Sequence, residues 1–230
     1  MSWFSAAILW LHQWQTLAAG LIAIAAAWIG ASAINRQIQQ SNKHEEERIK
    51  RKLKAARVVF PLTLSALCEY SEECARYLNT VHSFCKGDVV QPPASRMPER
   101  PVLPSEILTG LTVMAEAAND DVAGWINKLA ARLQVQYARV RSMHSGFFTD
   151  YRSSRITTAE DIEEYVIDAA KIYASASALF DFARAKTEAA PQTLTWDNIS
   201  SAVDCIGADF EIGDQISATI ASRKERGITP

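Results

Sequence analysis

The chain has 230 residues, enough for one large domain or for one domain with an appendage, and 48% of them are hydrophobic, as in an ordinary folded protein. Its 24 basic and 26 acidic residues nearly cancel, so it lacks the strong positive field of nucleic-acid-binding proteins. Nucleic acid is therefore excluded as an expected partner.

The charges are distributed unevenly, because residues 1–35 contain no Lys, Arg, Asp or Glu. Residues 17–34, extended back through Trp14, would form about 30 Å of helix, which is enough to cross the hydrocarbon core of a bilayer. A cleaved signal peptide and a buried core helix are the alternatives. A secretory signal requires Lys or Arg before its apolar stretch, and none is present here. We therefore predict a transmembrane helix within residues 1–35.

Three tryptophans near the start share one face of this helix. Tryptophan favours the headgroup level of a membrane. Residues 2–12 are therefore expected to lie along the membrane interface before the chain turns into the bilayer. A frayed helix start with ordinary interfacial tryptophans is the alternative. The predicted interface residues are Trp3, Trp10 and Trp14.

Basic residues follow the apolar stretch within about twenty positions, beginning at Arg36 and Lys43. The positive-inside rule then predicts an outside N-terminus and a cytoplasmic chain from residue 36 to residue 230. Reduced cysteines are expected in that compartment.

Small residues gather on one side of the predicted membrane helix, when it is wound at about 100° per residue. Small faces let helix backbones approach closely in lipid, so this face is a hypothetical packing surface for a second span. The alternative is that alanine is simply common in such helices. The residues assigned to membrane helix packing are Ala19, Gly20, Ala23, Ala26, Ala27 and Gly30.

Residues 36–59 have few apolar side chains and many good helix formers, which predicts a charged helical linker that continues the membrane helix. Glu46 with Lys50 and Glu47 with Arg51 have the favourable spacing of four residues. The linker carries a basic cluster that would contact anionic lipid or a partner, with a simple solvated face as the alternative. The cluster consists of Arg48, Lys50, Arg51, Lys52, Lys54 and Arg57.

Residues 60–230 are predicted to form a cytosolic all-α bundle, because apolar residues recur at helical spacing and no convincing strand pattern is found. The first helix is expected to kink or restart at Pro61 and to continue to Cys85. A Pro-rich loop follows at about residues 87–104, with Ser105 as the N-cap of the next helix. The apolar positions expected to face the core are Phe60, Leu64, Leu67, Ser71, Cys74, Leu78, Val81 and Cys85, then Val122, Trp125, Ile126, Leu129, Leu133, Tyr137, Val140 and Met143, and then Ile162, Tyr165, Val166, Ala169, Ile172, Tyr173, Ala176, Leu179, Phe180 and Ala183.

The later helices have clearer signals at their ends. Thr158 with Asp161 is expected to begin the longest of them, since a hydroxyl at the N-cap and acidic residues in the first turn favour a helix start. Two shorter helices are predicted over residues 196–206 and 210–223, separated near Gly207.

No catalytic motif is recognisable. Glu160, Glu164 and Asp168 share a helical face, which favours a solvated acidic face over an acid–base row. The cysteines and His82 lack the close Cys-x-x-Cys spacing of structural zinc sites. No metal, cofactor or catalytic residue is predicted. An enzyme whose active site is not recognisable from the sequence stays an alternative.

The sequence thus predicts a single-pass membrane-anchored protein that positions a cytosolic helical domain for interaction or assembly. The bilayer is the first expected partner, together with a second copy or another membrane or cytosolic protein. The alternative is a membrane-active effector whose spans cluster and permeabilise the bilayer after a cytosolic trigger.

Overall fold

The protein is mostly helical in a computed structural model that describes residues 3–91, 97–148, 156–191, 193–207 and 210–230. The elements are α1 (Trp3–His82), β1 (Cys85–Lys86), β2 (Val89–Val90), α2 (Ser105–Ala117), α3 (Asp120–Gly146), α4 (Ala159–Ala178), α5 (Phe180–Ala183), α6 (Trp196–Cys205) and α7 (Phe210–Glu225). The chain divides into two compact units, Met1–Arg51 and Lys52–Pro230.

The first unit is formed by the N-terminal part of α1. By length and composition this helix is long and apolar enough to cross a membrane, and its apolar window is not buried against any other part of the described chain. The helix has no break after residue 12, where the predicted interfacial segment would turn into the bilayer.

The described residues of the second unit form a hydrophobic core, and α1 supplies a buried stripe to it. The predicted core positions of α1 are confirmed from Phe60 to Val81, with Leu64, Leu67 and Leu78 completely buried. The helix does not restart at Pro61, because α1 continues through this residue. Proline removes one backbone donor, but the burial of the surrounding stripe favours an uninterrupted helix.

The end of α1 differs from the prediction. The helix ends at His82, and Cys85 lies in strand β1 rather than on a helix. Gly87 has a φ of 63°, which glycine adopts without steric cost, and it turns the chain into the short antiparallel β1–β2 hairpin. Two strands therefore occur where none was expected. Val90 N donates to Thr157 O at 3.0 Å, which attaches the hairpin to the segment before α4.

Most of the remaining helices lie near the predicted positions, but the stripe predicted from Ile162 to Ala183 is divided at Leu179 between α4 and α5. Capping explains where several of these helices begin. Asp161 N donates to Thr158 Oγ1 at 3.1 Å, and Thr158 N donates to Asp161 Oδ2 at 3.1 Å, so the predicted start of α4 is confirmed. The predicted N-cap of α2 is wrong by one residue. Pro104 occupies the cap position and makes no side-chain capping bond, and Ser105 is the first helical residue.

Candidate interaction surface

An apolar groove of about 920 Å³ lies between α1 and α2 in the second unit. Its α1 wall carries large apolar side chains that contact solvent, since Val59 is 57% exposed and Leu62 is 69% exposed. Apolar side chains clustered in a concave surface are typical of binding sites. The lining residues are Lys52, Ala55, Ala56, Val59, Phe60, Leu62, Thr63, Ala66, Pro104, Ser105, Glu106, Ile107, Thr109, Gly110 and Val113.

The depth of the groove is limited by a close contact between its two walls. Gly110 of α2 lies directly against the side chain of Thr63 of α1, and a β-carbon at position 110 would overlap the Thr63 hydroxyl and methyl groups. The two helices therefore touch at the floor, because glycine has no side chain there. The apolar side chains on either side are left uncovered.

Charged side chains lie near the groove. Lys52 Nζ is 3.1 Å from Glu116 Oε2, and both side chains of this ion pair are exposed. Glu106 lines the groove from the first turn of α2, and Glu69 is exposed on α1. The surface thus combines an apolar centre with both signs of charge around it.

The predicted basic cluster is partly used inside the protein. Arg48 and Arg51 pair with Glu45 and Glu47 on the same helix, at 2.6 and 3.2 Å. The second of these is one of the two predicted four-residue pairs. Lys50 and Lys54 are exposed. Contact of this cluster with anionic lipid stays a prediction.

Arg57 differs from the rest of the cluster because its side chain is only 11% exposed. Its Nη1 and Nη2 donate to the two carboxylate oxygens of Glu188 at 2.7 and 2.8 Å. The guanidinium carbon also lies 4.2 Å from the centre of the Phe182 ring. A bidentate pair stacked on an aromatic ring fixes the guanidinium within the domain, so Arg57 connects α1 to the segment after α5.

The predicted membrane-facing residues all lie in the first unit. The small residues of the packing face, from Ala19 to Gly30, are exposed, and a β-carbon at Gly20 or Gly30 would meet nothing within 4 Å. Trp10 and Trp14 are exposed, and their ring centres are 5.5 Å apart. The Trp3 side chain lies outside the described part of the structure. The roles of these residues in a membrane stay predictions.

Two acidic residues of α4 form ion pairs with neighbouring helices. Glu164 pairs with Arg223 of α7, and Asp168 Oδ2 is 2.5 Å from Arg139 Nη1 of α3. These contacts assign the two carboxylates to packing between helices.

The thiols are buried to very different degrees. Burial raises the pKa of the Cys68 thiol to about 11 and that of the Cys74 thiol to about 12. Both thiols are therefore protonated near neutral pH and are poor nucleophiles. Among the described residues, no group of three or more His, Cys, Asp or Glu side chains is arranged to hold a metal ion.

A partly buried polar contact was not anticipated from the sequence. Tyr77 Oη and His144 Nδ1 are 2.9 Å apart, which joins α1 to the last turn of α3. Burial, with the positive charge of Arg100, lowers the pKa of His144 below 6.5. The sequence did not identify Tyr77 as a contact residue, because it lies beside the predicted apolar stripe rather than on it.

Comparison of the chain with protein-family models, with curated proteins and with solved structures finds no match.

Proposed function

We propose that this chain is a single-pass membrane protein that positions a cytosolic helical bundle for interaction or assembly. Residues 17–34 cross the bilayer, and the second unit presents the α1–α2 groove to a protein partner. The small face from Ala19 to Gly30 adds a second contact between copies inside the membrane.

The observation that carries the membrane assignment is a run of large apolar side chains that no other described part of the chain covers. Exposing such side chains to water costs about 25 cal/mol for each Å² of apolar surface, and lipid removes this cost. Soluble proteins rarely expose such a continuous apolar surface. The side chains are Leu17, Leu21, Ile22, Ile24, Trp28, Ile29 and Ile34.

The orientation rests on charge. Basic residues begin immediately after the apolar stretch at Arg36, whereas residues 1–35 contain none. Basic flanks stay on the cytoplasmic side of membrane helices, which favours a cytosolic second unit.

The groove supports an interaction role. It lies on a domain with its own core, it is apolar, and it contains Lys52 and Glu106 among its lining residues. Interfaces commonly combine an apolar centre with a polar rim.

Cysteine labelling of intact cells tests both membrane insertion and orientation. Cys68, Cys74, Cys85 and Cys205 are first replaced by Ala or Ser, and one new cysteine is then introduced by Ser2→Cys or Ser222→Cys. A membrane-impermeant maleimide should label Ser2→Cys from outside and should label Ser222→Cys only after the cells are lysed.

Carbonate extraction is the matched measurement of anchoring. The chain should stay in the membrane pellet, and its release into the supernatant would overturn the proposed anchor. Labelling of Ser222→Cys in intact cells would overturn the orientation.

A further inference from the structure

The exposed wall of the groove contains a regular seam on α1. Six positions follow one another at alternating spacings of three and four residues: Lys52, Ala55, Val59, Leu62, Ala66 and Glu69. This spacing places them on one face and is the pattern by which helices pair in coiled coils. The seam is separate from the buried stripe that includes Phe60 and Leu64.

The seam is exposed rather than used within the domain. Lys52, Ala55, Val59, Leu62 and Glu69 are exposed, and Ala66 is half-buried. Five of the six residues line the groove, and the sixth, Glu69, follows Ala66 by one helical turn. A partner helix lying on the seam would therefore also contact the α2 wall.

The seam is self-complementary when two copies of it pair antiparallel. It runs from a cation through alanine, valine, leucine and alanine to a carboxylate. When two such seams pair antiparallel, Lys52 meets Glu69 of the second copy, Ala55 meets Ala66, and Val59 meets Leu62. When they pair parallel, Lys52 meets Lys52 and Glu69 meets Glu69, which places like charges together.

We infer that a second copy of this chain docks in the groove, with the two α1 seams antiparallel. This inference rests on the proposed function and names the partner of the interaction surface. The twofold axis passes between Val59 and Leu62, so the same patch is used on both copies, as in most protein dimers.

Two features of the surface favour this occupant. The Lys52–Glu116 pair within one copy is exposed, and exposed ion pairs stabilise weakly, so Lys52 is available to Glu69 of the second copy. The residues that line the groove include the small residues Ala55, Ala66 and Gly110, which let an approaching helix come close.

Disulfide cross-linking of the full chain in mild detergent tests the arrangement. The chain is prepared with Cys68, Cys85 and Cys205 replaced by Ser, and with the buried Cys74 kept. Ala55→Cys and Ala66→Cys are introduced into separate, differently tagged chains, because both changes are small and lie on the seam. Antiparallel pairing predicts a 55–66 disulfide when the two chains are co-expressed and oxidised.

Each variant expressed alone is the matched control, and neither should form a cross-linked dimer. Disulfides in the single-variant samples with none between the two different chains would show parallel pairing and overturn the inference. A wild-type chain that sediments as a monomer at every concentration would also overturn it, and would leave the groove to another partner.

Charge reversal provides a second measurement. Lys52→Glu and Glu69→Lys should each weaken dimerisation about tenfold, because each places like charges together twice in the dimer. The double variant should restore the wild-type dissociation constant. Glu116→Gln is the control, because it removes the pair within one copy without changing the seam, and it should leave dimerisation unchanged. Failure of the double variant to recover would contradict the antiparallel pairing.

Failure of the inference and failure of the proposed function give different results. A monomer that stays in the carbonate-washed membrane pellet overturns the dimer and retains the anchor. A cross-linked dimer that is released by carbonate overturns the anchor and retains the dimer.

Discussion

Gly110 of α2 and Thr63 of α1 lie in direct contact, with no room for a β-carbon at position 110. This contact determines how closely the two walls of the groove approach each other. Glycine normally weakens a helix interior, and here its small size is required by the neighbouring helix.

Gly110→Ala should destabilise the protein by about 1–3 kcal/mol, because overlap with Thr63 outweighs the gain in helix propensity of about 1 kcal/mol. Adding Thr63→Ala should recover most of the loss, since it removes Oγ1 and Cγ2. Urea unfolding in detergent measures both effects. Gly124→Ala is the control, because a β-carbon at this α3 position meets nothing within 4 Å and the change should stabilise the helix. A stabilising Gly110→Ala would show that α1 and α2 are farther apart.

Phe182 and Phe180 should respond differently to truncation. Phe182 is 1% exposed, whereas Phe180 is half-buried with the Arg184 guanidinium carbon 5.1 Å from its ring centre. Phe182→Ala should therefore cost about 3–5 kcal/mol of unfolding free energy, and Phe180→Ala clearly less. Thermal melting of the two variants under identical conditions provides the comparison. Equal losses would place both rings in the core.

His144 should make the stability depend on pH. Its pKa is lowered below 6.5 in the folded protein, so the unfolded chain binds a proton at a higher pH than the folded chain does. The stability present above the unfolded pKa should fall as the pH drops through the unfolded pKa towards the lower folded pKa. His144→Gln should reduce this dependence. An unaltered pH dependence in His144→Gln would contradict the assignment.

Cys205 should react with a thiol reagent before Cys74 does. Cys205 is exposed, whereas Cys74 is buried and its pKa is raised to about 12. Because the thiolate is the reactive form, a thiol reagent at neutral pH should modify Cys205 first and Cys74 only after unfolding. Cys205→Ser should remove the fast phase, and Cys68→Ser should retain it. A fast phase that survives Cys205→Ser would contradict the burial pattern.

The small face of the proposed membrane helix, from Ala19 to Gly30, leads to a prediction in lipid. Gly20→Leu combined with Gly30→Leu should weaken association of the spans, because bulky side chains push neighbouring backbones apart. Leu21→Ala, on the opposite face, should have little effect and serves as the control. Energy transfer between labelled full-length chains in bilayers measures the association. Equal association of wild type and the double leucine variant would show that the segment is only an anchor.

Helix positions followed well from local chemistry. Capping at Thr158 and the gap near Gly207 are determined by residues close in sequence, so the start of α4 and the bounds of α6 and α7 were predicted near their observed positions. The end of α1 was not found, because apolar spacing continues to Cys85 while the glycine turn and the bonds to the segment before α4 favour a hairpin.

The groove could not be predicted from the sequence, for a different reason. The spacing from Lys52 to Glu69 is visible in the sequence, but it overlaps a second stripe that includes Phe60 and Leu64. Only the position of α2 shows which stripe is covered. The ion pair of Arg57 with Glu188 is equally unpredictable, since the two residues are 131 positions apart.

The continuity of α1 has a mechanical consequence. The helix that carries the apolar N-terminal part also contributes Phe60, Leu64 and Leu78 to the core of the second unit. Tension applied to the N-terminal part would therefore be transmitted along α1 to side chains that lie in the core of the domain. Many buried side chains would have to leave the core at the same time. The domain would therefore unfold only under a higher force than a domain that is attached through a surface loop.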